Sequence, residues 1–477
     1  MAIYGLDFGT TNSSISIFHD NDSHLLPVDE NDGNRSVLRS ALYFYPRKLI
    51  ISNKVNKEQL VSHTFYANQI SYEGDVKTLI GTSAVKAYLG DNKSRHHGIK
   101  CKIYTGKVHN MILFITPSGK QVTGDVPDYY EEIDYGTGRL FHALKTALKS
   151  ELYKGSTIFG TAYALEELIG ILVGQIKAKA DQLNVSETDT VVCGRPVYFS
   201  IDPAKDKAAQ DRLEISLRKA GFNNIKFEYE PVAAAKYYLH RHPAPDQKIL
   251  VFDFGGGTFD TTIMESNNNF KVLATDGVYI GGDLLNSDIF YHKLGKYFGT
   301  EVTYGEKGVS LPGHIITALR SWYGIPNLNN PNDIGFLTGD VIYKNSDLPA
   351  IERLLYMIQK NLGFEIYEAI EVAKKKLTKD SSAMIEFKDG PIDINLEITR
   401  EEFENIIEPR VETVRNCVLR TITKANLKLS DIDVVVRTGG SSLIPVFENM
   451  LYDLFGKDKV TEFDPFTSVA AGLAIPS

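Results

Sequence analysis

The chain has 477 residues, 43% of them hydrophobic and 23% charged, with a formal net charge of −8. At ~150 residues per domain this is room for about three domain-sized units with a sizeable core, which excludes a disordered chain, a coiled coil and a collagen-like repeat. The 52 basic against 60 acidic residues leave no basic excess for a nucleic-acid footprint, so no nucleic-acid partner is expected.

Met1 to Phe18 shows neither a basic n-region nor an apolar stretch before a cleavage site. No run approaches the ~20 continuous apolar residues of a membrane span, so no membrane partner is expected. Residues 2–7 form an apolar run ending in Asp7, and 13–18 alternate polar and apolar. Gly9-Thr10-Thr11-Asn12 between them predicts a β-hairpin with a polar tip. Residues 40–138 have short apolar runs, many tyrosines and no clear period, and the acidic Tyr129–Tyr135 reads as a solvated loop. Tyr163–Leu183 has helical apolar spacing, Thr190–Cys193 is a short apolar strand, Asp206–Ala220 is a helix stopped by Gly221, and Ile225–Glu228 is a strand. Glu230-Pro231 opens a helix over 232–239, with proline at a first-turn position.

Near the middle of the chain the hairpin pattern returns. Lys248–Phe252 leads to Asp253, then Gly255-Gly256-Gly257-Thr258, then Asp260–Ile263. One repeat per half of the chain predicts two related lobes, and strands alternating with helices predict α/β layers. Gly281-Gly282-Asp283 then precedes a helical stretch 284–298, an irregular segment 299–348 with the only tryptophan, Trp322, and a strongly helical 349–379. Val434–Val436 is a buried-type strand leading to Gly439-Gly440-Ser441, with a helix from about Pro445. The three cysteines (Cys101, Cys193, Cys417) lie far apart without a CxxC pair, which argues against disulfides or structural zinc and fits a reducing cytoplasm.

No Walker-type loop, dinucleotide fingerprint, metalloprotease helix or nucleophile elbow is present. What stands out is three Gly/Thr/Ser-rich turns, each directly after an apolar strand: 9–12, 255–258 and 439–442. Glycines let backbone N–H groups approach an anion closely, and successive N–H groups form phosphate-binding concavities. An aspartate ends each of the first two strands, and facing carboxylates beside phosphates suit a hydrated Mg²⁺. One such turn alone is an ordinary hairpin. Two matched hairpins with a third glycine turn point to nucleotide phosphates.

These segments closely resemble the DnaK-type heat-shock chaperones. Ile3–Ile17 (IYGLDFGTTNSSISI) and Leu250–Ile263 (LVFDFGGGTFDTTI) look like the two phosphate loops of that family. Tyr229–Ala235 (YEPVAAA) looks like the helix linking its lobes. Ile280–Asp283 (IGGD), Glu371–Thr378 (EVAKKKLT) and Thr438–Pro445 (TGGSSLIP) resemble its nucleoside-binding elements, with Thr399–Phe403 and Asp464–Gly472 completing the series. The resemblance implies the two-lobed fold of the actin, hexokinase and DnaK superfamily, a pair of duplicated ribonuclease-H-like domains with ATP or ADP in the cleft. It places lobe I at 1–245 plus 460–477, with an insertion at about 39–157. Lobe II takes 246–459, with an insertion at about 280–395. Two departures stand out. The chain stops at Ser477, close to the last matching motif, so no peptide-binding domain is expected, and 40–138 and 291–350 are unlike ordinary DnaK, the latter being similar to the short YegD-type relatives.

Residue by residue, the resemblance implies that Asp7 and Asp253 hold Mg²⁺ through water, that Gly9, Thr10, Thr11, Asn12 and Gly255–Thr258 cradle the phosphates, and that Glu230 and Asp260 position or deprotonate the attacking water. Without that context Glu230 is also an ordinary helix-start carboxylate. Two lysines compete for the family's catalytic lysine. Lys77 sits in KTLIG, and Lys145, in ALKTALKS, fits the order better. Glu371, Lys374, Lys375 and Thr378 share one helix face by i, i+3, i+4 spacing. Opposite Gly281, Gly282, Asp283, Gly439, Gly440 and Ser441 that face is expected to form a ribose and adenine wall, with Lys375 and Leu443 where the family places two arginines.

The expectation is a cytoplasmic Mg-ATP-binding protein and slow ATPase whose lobe closure regulates a protein partner. A small-molecule kinase of the same superfamily and an actin-like filament protein are the alternatives.

Overall fold

The computed structural model describes residues 3–29, 34–92, 99–116, 119–134, 138–184, 188–243, 246–266, 270–341, 348–464 and 467–476. Two mixed sheets organise the chain. The first holds β1 (Tyr4–Phe8), β2 (Asn12–His19), β3 (Asp22–Leu25), β4 (Leu38–Arg39), β5 (Thr190–Arg195) and β6 (Asn224–Tyr229). Its order is β6-β5-β1-β2-β3, with β4 on β2. The second holds β7 (Gln247–Phe254), β8 (Phe259–Ser266), β9 (Phe270–Val278), β10 (Val434–Thr438) and β11 (Val460–Glu462), in the order β9-β8-β7-β10-β11.

The two sheets repeat one plan. In each, an antiparallel three-strand meander is extended by two parallel strands on the far side of its first strand. The matching registers set Asp7 and Asp253 at equivalent ends of β1 and β7, where the predicted hairpins turn. Crevices outside the carboxyl ends of such strands are where α/β sheets bind ligands.

Helices cover both sheets. The labelled ones are α1 (Leu144–Ala147), α2 (Leu165–Asn184), α3 (Pro203–Lys219), α4 (Glu230–Arg241), α5 (Gly282–Ile289), α6 (Gly363–Leu377), α7 (Arg400–Lys424) and α8 (Ser468–Ala474). Leu168, Leu172 and Ile176 of α2 join Leu213 and Leu217 of α3 in the first core, with Tyr4, Leu6 and Phe8 of β1. Phe252, Phe254 and Phe259 share the second core with α5, α6 and α7. A third core lies between the sheets, where Val232–Ala235 of α4 meets Val251, Val436, Val469 and Leu473. The chain thus returns at its far end to the first sheet: Ser16 and Ser23 donate to the carbonyls of Ala470 and Ala471 in α8, at 2.6 and 2.8 Å. Val460–Glu462 remains paired to β10, so this return begins beyond Glu462 and not at 460.

Three local expectations are corrected. The helix expected over 349–379 breaks into Leu348–Lys360 and α6, because Asn361 turns left-handed at φ 51°. The irregular 299–348 contains short helices at Gly313–Leu319 and Pro331–Phe336. Tyr129–Asp134, expected as a loop, belongs to a strand, Gln121–Asp134, paired along Ile99–Ile115 in a long hairpin. Its residue Tyr135 lies outside the described residues.

Candidate functional site

The first turn is held by Ser40, whose hydroxyl donates to the Gly9 carbonyl at 2.7 Å and whose N–H donates to the Thr11 carbonyl at 2.8 Å. The second turn closes on itself through Gly255 N–H and the Thr258 carbonyl, 3.0 Å. It is also the anchor for the other glycine segments. Gly255 O accepts from Gly282 N–H and from the Ser441 hydroxyl, and Gly256 O accepts from Asp283 N–H at 2.9 Å. Gly439 takes φ 80°, with the Phe254 carbonyl 2.3 Å from where a Cβ would stand, so only glycine fits there. The two phosphate-type turns touch: a Cβ on Gly256 would lie 1.9 Å from Thr11 Oγ1.

One cleft between the sheets is lined by Asp7, Gly9 to Asn12, Lys145, Glu230, Asp253, Gly255 to Thr258, Gly439 and Gly440. In it, Lys145 Nζ donates to Glu230 Oε1 at 2.6 Å, both side chains almost fully buried. Burial alone would lower the ammonium's affinity for its proton, but Glu230 and Asp7 outweigh that and raise it. Burial, and then the charge of Glu230, pushes Asp7 and Asp260 up to about 7. Asp253 is raised for the same reasons, with Asp260 and Asp7 adding to the repulsion. Asp260 faces Asp253 across the β7–β8 register, behind the cleft wall. Crowded carboxylates that resist ionisation together accommodate a cation, so Asp7 and Asp253 fit a hydrated Mg²⁺.

The residues expected to form a nucleoside wall gather beside this cleft. Lys374 Nζ donates to Gly282 O at 3.0 Å and pairs with Glu371 at 2.7 Å. Lys375 reaches Glu371 at 3.4 Å while remaining largely exposed, and Asn286 Nδ2 donates to Glu371 at 2.8 Å. Burial would raise the Glu371 carboxyl, but Lys374 and Lys375 overcome it and hold it down at about 2. Thr378 ends α6 with its hydroxyl donating to Lys375 O. Of the two lysines left open by the sequence, Lys145 is in the cleft. Lys77 is exposed before the Thr78–Ile80 strand, where its carbonyl accepts from Tyr45 N–H.

Other lining residues escaped the sequence reading: Lys149, Pro196, Tyr198, Phe199, Tyr279 and Val469. Lys149 was signalled by its i+4 spacing from Lys145. Pro196 to Phe199 follow the end of β5, where a ligand crevice is expected.

The family model described as Hsp70 protein matches residues 140–304 and 358–477, together more than half of the chain. The chain belongs to the Hsp70 family. Its two-lobed α/β architecture is the actin-like ATPase fold of that family. Relatives of this Hsp70 chain include the chaperone proteins DnaK of Thermosipho melanesiensis and Thermosipho africanus, 26% and 27% identical over 315 residues, covering 66% of the chain and 44% of each relative. The chaperone protein dnaK of Cyanidioschyzon merolae is 25% identical over 483 residues, covering 99% of the chain and 61% of the relative. The chain therefore spans about half the length of the curated relatives it matches. The family match leaves out 1–139 and 305–357, which overlap the segments 40–138 and 291–350 expected to be unlike ordinary DnaK. Among the described residues no helix is long and apolar enough to cross a membrane.

Proposed function

We propose that this chain binds ATP with Mg²⁺ between its lobes and hydrolyses it slowly, lobe closure regulating a protein partner. The observation that carries the reading is the Lys145–Glu230 pair beside Asp7 and Asp253 in the cleft where glycine turns from both sheets converge, with Asp260 behind its wall. Backbone N–H groups of the 9–12 and 255–258 turns, with the hydroxyls of Thr10, Thr11 and Thr258, would cradle the phosphates. Asp7 and Asp253 would hold Mg²⁺ through its waters, and the cation would supply neutralisation of phosphate charge.

Lys145 would face the terminal phosphate, and its pair with Glu230 fixes where the ammonium points. Asp260, held up near neutrality, is poised to take a proton from water that Glu230 helps orient. Gly281, Gly282, Asp283, Glu371, Lys374, Lys375, Thr378, Gly439, Gly440 and Ser441 would form the nucleoside wall. Lys375 stacks on an adenine less well than a planar guanidinium would. Three free, buried cysteines support work in a reducing cytoplasm.

The deciding experiment is steady-state ATPase of the purified chain with and without Mg²⁺. Slow Mg-dependent turnover, lost in Asp7→Asn and in Asp253→Asn, is expected. Wild-type turnover in either variant would overturn the site assignment.

A further inference from the structure

Beyond the phosphate cleft lies a separate cavity of about 730 Å³, within the size range of small-molecule sites. One wall is the Leu140–Tyr153 segment of the first lobe. The other comes from α5, the Arg320–Asn327 segment and α6 of the second. It shares Thr11, Thr146, Lys149, Gly256, Gly257 and Tyr279 with the phosphate cleft and reaches Asp283 and Glu371, but contains none of Lys374, Lys375, Thr378 or Ser441.

Most of its charged groups are already engaged; Asp283 also lines it, its carboxyl raised by burial. Arg39 and Glu368 form a two-bond ion pair at 2.7 and 2.6 Å, and Glu371 is held by Lys374 and Asn286. Arg320 lies 3.7 Å from Asp288 and over the Tyr291 ring, and Lys149 lies over the Tyr279 ring. The polar atoms buried there without a partner are neutral. Both ring nitrogens of His142, Asn286 Oδ1 and Thr11 Oγ1 are shut off from solvent without a hydrogen bond. Such groups are destabilising unless something satisfies them. Burial, with Arg39 beside it, pulls His142 down to about 4, so its ring is neutral and offers one donor and one acceptor. Aromatic rings stand beside His142: Trp322 and Phe364 meet its ring edge-on at 6.0 and 6.2 Å, and Tyr367 lines the same cavity.

We infer that this cavity binds a neutral, multiply hydroxylated ring compound of the sugar or cyclitol class, stacked on its aromatic wall. Hydroxyls both donate and accept and carry no charge, so they match Asn286 Oδ1, the neutral His142 ring and Thr11 Oγ1 at once. A ring's apolar face matches Trp322 and Phe364.

Trp322 is the only tryptophan of the chain and lines this cavity, so the chain's tryptophan emission comes from its wall. The full chain, saturated with ADP so that the nucleotide's own place is filled, would be titrated with D-glucose, N-acetyl-D-glucosamine, D-ribose and myo-inositol. At least one is expected to change Trp322 emission saturably at micromolar to millimolar concentration. His142→Phe, which keeps the ring packing but removes both nitrogens, is expected to weaken that response at least ~tenfold while retaining ADP binding. Asn286→Ala is the second variant, expected to weaken it similarly. The inference is overturned if none of the four compounds gives a saturable change. It is equally overturned if ADP abolishes the response, or if both variants keep wild-type affinity.

Discussion

Lys145 and Glu230 join α1 to the first turn of α4 through a 2.6 Å buried ion pair in the cleft lined by the 9–12 and 255–258 turns. Removing one partner of a buried pair costs roughly 3–5 kcal/mol, because the other charge is stranded. Lys145→Ala is therefore expected to lower stability in chemical denaturation and to slow hydrolysis by at least about tenfold, roughly 1.4 kcal/mol of barrier. Adding Glu230→Gln should restore part of the stability and none of the turnover. Slow turnover in Lys77→Ala with normal turnover in Lys145→Ala would show the lysine to be misplaced.

A second ion pair crosses between the lobes. Arg39, on β4, grips Glu368, on α6, with both side chains 20–25% exposed. Bidentate geometry at a partly wet position is worth ~0.5–1 kcal/mol. Glu368→Gln is expected to release a fluorescent ADP analogue about two- to fivefold faster, with no further gain on adding Arg39→Gln. Raising salt should speed release from the wild type more than from the variant. Unchanged release in Glu368→Gln would mean the pair does not hold the lobes.

Much of this arrangement was legible from residues alone. Asp7 and Asp253 each sit where an apolar run meets glycine, so both hairpins and their equivalence could be read. Strand registers then carried the two aspartates to matching positions. The Arg39–Glu368 pair spans 329 residues, and nothing local to either side chain signals its partner. The helix break at Asn361 was hidden because one left-handed residue leaves the apolar period on either side nearly intact. The hairpin Ile99–Ile115 with Gln121–Asp134 was missed because Val108, Met111, Ile112, Leu113, Phe114 and Ile115 are all more than half exposed. Without a buried face a strand shows no inside–outside alternation to read.

The contact between the two phosphate-type turns gives a third test. A Cβ on Gly256 would stand 1.9 Å from Thr11 Oγ1 and 3.0 Å from its Cβ. Rotating the Thr11 side chain would move Oγ1 but not its Cβ, whose backbone is held by Ser40 N–H on the Thr11 carbonyl. Gly256→Ala is expected to prise the turns apart and weaken ATP binding at least ~tenfold by calorimetry. The turn lines a cleft and not a core, so the melting temperature should hardly change. Wild-type affinity would mean that the turns need not touch to hold nucleotide.

Asp283 offers a test by pH. Its N–H is fixed to Gly256 O at the start of α5. Burial raises its carboxyl from 3.8 to about 7; Lys374 opposes the rise, and Glu371 and Glu368 add to it. In the unfolded chain the group titrates at its ordinary value. Between about pH 4 and 7 the folded state therefore keeps a proton that the unfolded state has released, and stability falls as pH rises through that window. The contribution is complete below the ordinary value and gone above about 7. Asparagine has no proton to lose, so Asp283→Asn should gain stability relative to wild type as pH rises. Thermal melts of nucleotide-free protein near pH 5 and pH 8 measure this. Asp7 and Asp260, raised to about 7 as well, tilt both proteins' curves alike, so the difference between them isolates Asp283. A larger advantage for the variant at the higher pH is expected. An advantage that is constant across the range would mean that Asp283 ionises normally in the folded chain.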